Sequence, residues 1–246
     1  MRDLREYSQS YENLEFENEI VKYRRQAVLE RTRCRSPSHI LEVGCGMEPL
    51  FLHLPAQMHV TIIEPTPSFF ENANLKSQDF ENVHVEHSTL EEACLEARFD
   101  MIIVSCLLHE IEDQTRFLNK LHSLCGDDTI VHINVPNAQS MHRRLAVSMG
   151  LISNPYKVSE TQKRMQQSHP PFDDNTLKQV LNAHDFEVCD SGGYFIKPFT
   201  HNQMMHLLQA GVADDMVLDG LFKLGKEMPD LASEIWVDCK KSGCRL

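Results

Sequence analysis

Short apolar runs, each closed by a polar or glycine-bearing turn, recur along the chain and set out its elements. In Ile40-Leu41-Glu42-Val43 the run is β-branched at 40 and 43 and stops abruptly at Gly44-Cys45-Gly46. That pattern predicts a buried parallel strand turning sharply at its carboxyl end. Val60-Thr61-Ile62-Ile63 and Val83-His84-Val85 repeat it, Phe99 to Cys106 is the clearest run, and Thr129 to Val135 is a fifth. Between them, Glu48-Pro49-Leu50-Phe51-Leu52 starts a short helix with Pro49 in its first turn, where a missing N–H does no harm. A polar helix follows Pro65-Thr66-Pro67 to about residue 79, and another spans about 113–125. Five β-α repeats in regular alternation predict a parallel sheet with helices on both faces.

The flanks read differently. Tyr7, Tyr11, Leu14, Phe16, Ile20, Tyr23, Ala27 and Val28 stand among charges at helical spacing, and Ser36-Pro37-Ser38 breaks the segment. Residues 1–36 are therefore expected to form a helical cover over one sheet edge. After the fifth strand, residues 150–175 are rich in Ser, Asn, Gln and Pro, a long stretch that serves as a substrate loop or a lid. A helix from Asn175 to His184, strand pieces Phe186–Cys189 and Gly193–Ile196 around a glycine turn, a helical 201–226 and a final strand Glu234–Cys239 complete the reading. The expectation is a single domain over 1–246, with 136–175 as its substrate or lid segment.

Composition narrows the function. A chain of 246 residues, 41% hydrophobic and 24% charged, is ordinary for a globular α/β domain. Its formal net charge of −12 disfavours a nucleic-acid partner, which needs clustered Lys and Arg. No apolar run approaches the ~18 residues of a membrane span, and the polar start Met1-Arg2-Asp3-Leu4 is unlike a signal peptide, so no membrane partner is expected. Eight scattered cysteines with no C-x-x-C pattern read as reduced thiols in a cytoplasmic protein.

Glu64 ends the second strand 20 residues after Gly44, near the offset of about 20 at which an acid meets a ribose in nucleotide-binding βαβ units. A dinucleotide is disfavoured, because G-x-G-x-x-G would need glycine at Pro49 and Glu48 would repel a pyrophosphate. An adenosine without phosphates fits better. The motif Glu42-Val43-Gly44-Cys45-Gly46, the acid Glu64, and Phe99-Asp100 followed by an apolar run and Leu107-Leu108-His109 resemble the class I S-adenosylmethionine-dependent methyltransferases. The resemblance implies a Rossmann-like, doubly wound seven-stranded sheet, mostly parallel with an antiparallel last strand.

It also implies a cofactor, S-adenosyl-L-methionine, and a set of contacts. The glycine loop (Glu42, Gly44, Cys45, Gly46) passes its amino-acid end, and Glu64 with Pro65 meets its ribose. Ser88, Thr89 and Leu90 lie near its adenine, with Ser88 where the family commonly has an acid. Ser105 and Leu107 follow the fourth strand, and Tyr11 and Arg24 of the leading helices close over the site. V-P-N-A-x-S-x-H-R-R-L from Val135 and G-G-x-F-x-K-P-F from Gly192 resemble bacterial methyltransferases of small-molecule, sugar or secondary-metabolite pathways.

Methyl transfer from a sulfonium is an in-line displacement that needs alignment, a dry pocket and sometimes a base. Residues just beyond the strands are the candidates. His109 is the best-placed base, oriented by Glu110 or Glu112, or else a packing group. His142 and His169 are further catalytic candidates, and His132, within a strand, is a structural one. Arg143 and Arg144, with Asn137 beside them, are expected to hold an anionic acceptor, or else to form a solvated helix face. No metal is expected, since Asp127-Asp128 fall at the wrong end of the fifth strand. The expected reaction is methyl transfer to oxygen, with nitrogen next, of a small-molecule acceptor. Transfer from carboxy-S-adenosylmethionine, needing a cation such as Arg24, Arg25 or Arg143 near the sulfonium, and a non-catalytic binding protein are the alternatives.

Overall fold

A computed structural model describes residues 16–243 apart from 96, 160–161, 164–166 and 168. Tyr7, Tyr11, Leu14 and Ser168 lie outside the described residues. In chain order the elements are α1 (Glu17–Arg35), β1 (His39–Val43), β2 (His59–Ile63), α2 (Pro67–Lys76), β3 (Val83–Glu86), β4 (Met101–Ser105), α3 (Gln114–Ser123), β5 (Ile130–Pro136), α4 (Met141–Ser148), α5 (Asp174–Ala183), β6 (Phe186–Tyr194), α6 (His201–Gln209), α7 (Asp215–Glu227) and β7 (Glu234–Lys241). The seven strands form one sheet in the order β3-β2-β1-β4-β5-β7-β6. β1 to β5 are parallel, and β7 runs antiparallel to both β5 and β6. β6 therefore points the same way as the parallel strands, so its carboxyl end reaches the same edge of the sheet.

One face of this sheet is apolar. Leu41, Val43, Ile102, Val104, Val131, Ile133, Ile235 and Val237 pack there against Phe117 and Leu121 of α3 and Leu177 and Leu181 of α5. Asp113 caps α3 by accepting from Arg116 N, and Asp173 caps α5 through Thr176 N, which fixes where both helices start. The opposite face carries buried Glu42, His132, Asn134, Glu234 and Asp238 beside Ile40, Met101 and Ile103. It is covered by α1, α2 and α7.

Several sequence expectations need correction. α1 lies across this polar face and not along an edge: Val28 packs on Ile40 and Met101, while Arg31 stacks 4.2 Å from the Trp236 ring and donates to Asp238. The alternation is not regular. Only a 3-10 turn, Leu50–His53, joins β1 to β2, and no helix occurs among the described residues between β3 and β4. There Ala93 N bonds Thr89 O, and one turn buries Leu90 and Ala93. Residues 186–194 are one strand, with an irregularity between Val188 and Asp190, and not two pieces around a turn; Phe195 and Ile196 lie beyond its end. Gly192 and Gly193 serve close packing within it: a Cβ would fall 2.8 Å from the Trp236 ring and 2.7 Å from Ala232 Cβ, respectively. The 201–226 stretch is two helices, parted at Gly211, whose φ is +67.

Candidate active site

The chain leaves β1 toward β2 and β3 on one side, then returns to β4 on the other. That reversal opens a crevice at the carboxyl ends of β1 and β4. A cavity of about 1780 Å³ occupies it, and its two ends are built differently.

At one end the backbone is the material. Gly44 turns at φ +75 and donates to Ile63 O at 2.8 Å, and a Cβ there would meet Leu107 Cδ2 at 3.3 Å; Gly46 follows at φ +58. Glu64 is 3% exposed. Its Oε2 accepts from Cys45 N (3.0 Å) and Gly46 N (3.3 Å), and its Oε1 from Thr66 N (2.8 Å). Burial raises this carboxyl, against the N–H groups that favour its charged form. Glu42 accepts from Leu50 N at 3.0 and 3.2 Å. Burial drives its carboxyl up to about 8, the Leu50 N–H opposing and Glu64 adding to the rise. Burial and the same two carboxylates push the Cys45 thiol far up, so it is no nucleophile. Pro65, Thr66, Phe69, Thr89, Leu90, Ser105 and Leu107 complete this wall. Ser88 does not join it. Its hydroxyl donates to Glu86 Oε1 at 3.0 Å, a partner two residues away that outcompetes the cavity.

At the other end side chains converge from distant parts of the chain. His109 sits buried in the 3-10 turn Leu108–Glu110, its Nε2 3.7 Å from Glu110 Oε1, while Gln167 donates to that same oxygen at 2.7 Å. Arg24 is 9% exposed and donates to both carboxylate oxygens of Glu234, at 2.5 and 2.9 Å, and to Glu17 at 3.1 Å. Asn134 and Tyr194 bind the same Glu234 Oε2. Cys106 follows β4 at φ +54, a conformation few non-glycine residues take, and lines the cavity beside them. His142, Arg143, Lys197, Thr200, His201 and Asn202 close this end.

Some expected residues are elsewhere. His169 is not on the cavity wall: its Nε2 lies 3.1 Å from Glu112 O, so the ring tethers the 167–171 segment to the turn after β4. Arg143 reaches the cavity but donates to Pro155 O and Lys157 O, which hold the following loop. Arg144 faces a separate cavity of about 640 Å³ with Tyr156 and Asp173. Asn137 borders the site, yet its amide donates to Ala232 O at 2.9 Å and its oxygen accepts from Gln139 N, which makes it a loop tie. Lys197, His201, Cys106, Glu17 and Glu234 were not anticipated. Lys197 stands in the G-G-x-F-x-K-P-F run, and the strand-end rule points to it once residues 186–194 are seen as one strand. Among the described residues no group of three His, Cys, Asp or Glu is placed to hold a metal, and no helix is long and apolar enough to cross a membrane.

Residues 16–191, more than half of the chain, match the family described as methyltransferase domain. No curated relative matches. Among solved structures, 1,6-didemethyltoxoflavin-N1-methyltransferase of Burkholderia thailandensis, with its acceptor and S-adenosylhomocysteine bound, is similar at TM-score 0.55 and 16% identity, over 89% of this chain and 77% of that one. The plantazolicin methyltransferase BamL, with a desmethyl analogue and S-adenosylhomocysteine, is similar at 0.61 and 15%, over 93% and 88%. An O-methyltransferase of neocarzinostatin biosynthesis, bound to S-adenosylmethionine and a hydroxy-methyl naphthoic acid, is similar at 0.51 and 11%, over 84% and 50%. The seven-stranded order, the glycine turn and the family match agree: the chain belongs to the methyltransferase domain family, as a class I S-adenosylmethionine-dependent enzyme.

Proposed function

We propose that the chain transfers a methyl group from S-adenosylmethionine to a nitrogen or oxygen of a small-molecule acceptor. One observation carries this reading: a single continuous cavity with a backbone-built end and a side-chain-built end. A pocket for one drug-sized ligand measures about 300–1,000 Å³. The cavity here, about 1780 Å³, has room for cofactor and acceptor together.

The residues present suit the cofactor. When bound, it supplies a methyl group made electrophilic by a sulfonium. The glycine turn gives a close approach without a Cβ, and Glu42 offers a carboxylate to the amino-acid end. Glu64 already accepts from three N–H groups, the Cys45 thiol and the Thr66 side chain, and at the cavity wall a ribose hydroxyl would join or replace the weaker of these. Thr89 and Leu90 take the adenine side. His109, which lines the cavity beyond the fourth strand, accepts the acceptor's proton. Residues Ile152, Ser159, Gln162, Gln167 and Pro171 line the mouth, so the 136–175 segment works as a lid that keeps the displacement dry. Arg24 and Arg25 are bound to carboxylates, Glu234 and Glu17 for the first and Glu48 for the second. That supports the ordinary cofactor over a carboxylated one.

The test uses S-adenosylmethionine with a deuterated methyl, incubated with the enzyme and a small-metabolite extract. Small products carrying the heavy methyl are expected. Label found only in protein or nucleic acid would overturn the reading.

A further inference from the structure

Lys197 follows β6 by three residues, at the sheet edge where the parallel strands end. Its backbone is fixed from several sides. Phe195 turns at φ +59, and its carbonyl accepts from both Ser233 N (2.8 Å) and Ser233 Oγ (2.7 Å). Ile196 N donates to Leu221 O at 2.9 Å. α7 presses so closely that a Cβ on Gly225 would lie 2.2 Å from Phe195 N. A kink held this firmly, at a left-handed non-glycine residue, sets the next side chain in one place.

What it sets there is a buried ammonium with no hydrogen bond and no close ion pair. Lys197 is 7% exposed and lines the cavity, yet among the described residues it makes no ion pair and donates no hydrogen bond. The carboxylates facing it, Glu17 and Glu234, are both held by Arg24. Burial lowers the ammonium to about 8; Glu17 and Glu234 oppose, and Arg24 and Arg143 add to the fall. Beside it, His142 Nδ1 is buried with no hydrogen-bond partner, its ring held neutral by burial and by Lys197, Arg143 and His201. The third contribution is the amino end of α6, where Thr200, His201 and Asn202 meet the cavity. Thr200 Oγ1 caps Gln203 N and the Gln203 side chain accepts from Thr200 N, which leaves the N–H groups of His201 and Asn202 without intrahelical partners and favouring negative charge.

We infer that Lys197, His142 Nδ1–H and the amino end of α6 form a subsite for an anionic group, carboxylate or phosphate, of the acceptor. The inference rests on the methyl-transfer reading above and names the substrate class that reading leaves open. It moves the acceptor-binding cation from Arg143, which is bonded to loop carbonyls, and Arg144, which faces the other cavity, to a lysine in the same chamber as His109. A buried lysine whose nearby carboxylates are bonded to Arg24 keeps its own donors open for an anion from outside.

The experiment uses the full chain loaded with S-adenosylhomocysteine, titrated with benzoate, inorganic phosphate and, as a neutral control, benzyl alcohol. One of the two anions is expected to saturate the site, and which one does so identifies the anionic group. Lys197→Met should weaken that anion roughly ten- to hundredfold, as for a lost bond to a charged group, with S-adenosylhomocysteine affinity retained. The Lys197 ammonium, followed by NMR of carbon-labelled lysine in the unmutated protein, should rise from about 8 toward the ordinary lysine range when the anion binds. Anions that bind no better than benzyl alcohol, or that leave the Lys197 titration unmoved, overturn the inference even if the variant fails to fold. Failure of the unmutated protein to bind S-adenosylhomocysteine is a separate result, and it overturns the methyl-transfer reading itself.

Discussion

Under the proposed function, the two ends of the cavity hold their ligands by different means. The end assigned to the cofactor is lined by four short segments, around residues 42–50, 63–66, 89–90 and 105–107, and its two acids accept from the backbone of the first two. The acceptor end is made of side chains from α1, the turn after β4, α4, the stretch after β6 and the start of β7. A backbone-built site tolerates many sequences but needs its turn, whereas a side-chain-built site is rewritten by single substitutions. The cofactor end is thus the general half of the enzyme and the acceptor end the specific half.

The largest expected break in this contrast is His109→Ala. Turnover should fall by ~10²–10⁴, as for a lost general base, with S-adenosylhomocysteine affinity unchanged. Single-turnover transfer of a deuterated methyl measures it, and near-normal turnover would make His109 a packing group. Next is Arg24→Met, which strands Glu234 and Glu17 in the interior. Removing one partner of a buried ion pair destabilises by about 3–5 kcal/mol, readable in urea unfolding. The paired change Arg24→Met with Glu234→Met should recover much of that loss. If Arg24→Met alone is harmless, water reaches this end freely and its charges are not buried.

On the cofactor side the effects are smaller. Glu64→Ala removes one ribose bond and the acceptor for three loop N–H groups. It should weaken S-adenosylhomocysteine by roughly ten- to hundredfold, or about 1.5–3 kcal/mol, in calorimetry. An unchanged affinity would leave Glu64 a loop support only. The smallest effect is on pH. Glu42 titrates near 8 in the free protein, so it is mostly protonated at neutral pH. An incoming ammonium lowers that value, which means binding releases a proton and affinity rises with pH until about 8, by less than tenfold per unit. Glu42→Gln should flatten the slope, and a wild-type affinity independent of pH would show that the ligand's cation stays away from Glu42.

The same contrast explains what could be read from the sequence. β1, β2, β4 and β5 were visible because strands buried on both faces are continuous apolar runs, and the glycine turn because φ +75 at Gly44 excludes most residues. Ser88 was misplaced because a hydroxyl's choice between the cavity and Glu86 is a matter of rotamer, which spacing does not encode. α1 was put on an edge because Arg24, Thr32 and Glu17 are buried in it, so its inward face does not look apolar. His169, Arg144 and Asn137 sit beyond strand ends or in the stretch after β5, as candidates should, but their side chains turn to carbonyls or to the neighbouring cavity. Lys197 is hidden in the sequence because Gly192 and Gly193 suggest a turn where Trp236 and Ala232 require close packing, so the end of β6 does not show.

A crystal structure of the complex with S-adenosylhomocysteine bears most directly on the division of the cavity. The account predicts a ribose hydroxyl on Glu64, the adenine against Thr89 and Leu90, and the sulfur turned toward the chamber of His109 and Lys197. A ligand seated with its sulfur away from that chamber, or with its ribose out of reach of Glu64, would contradict it.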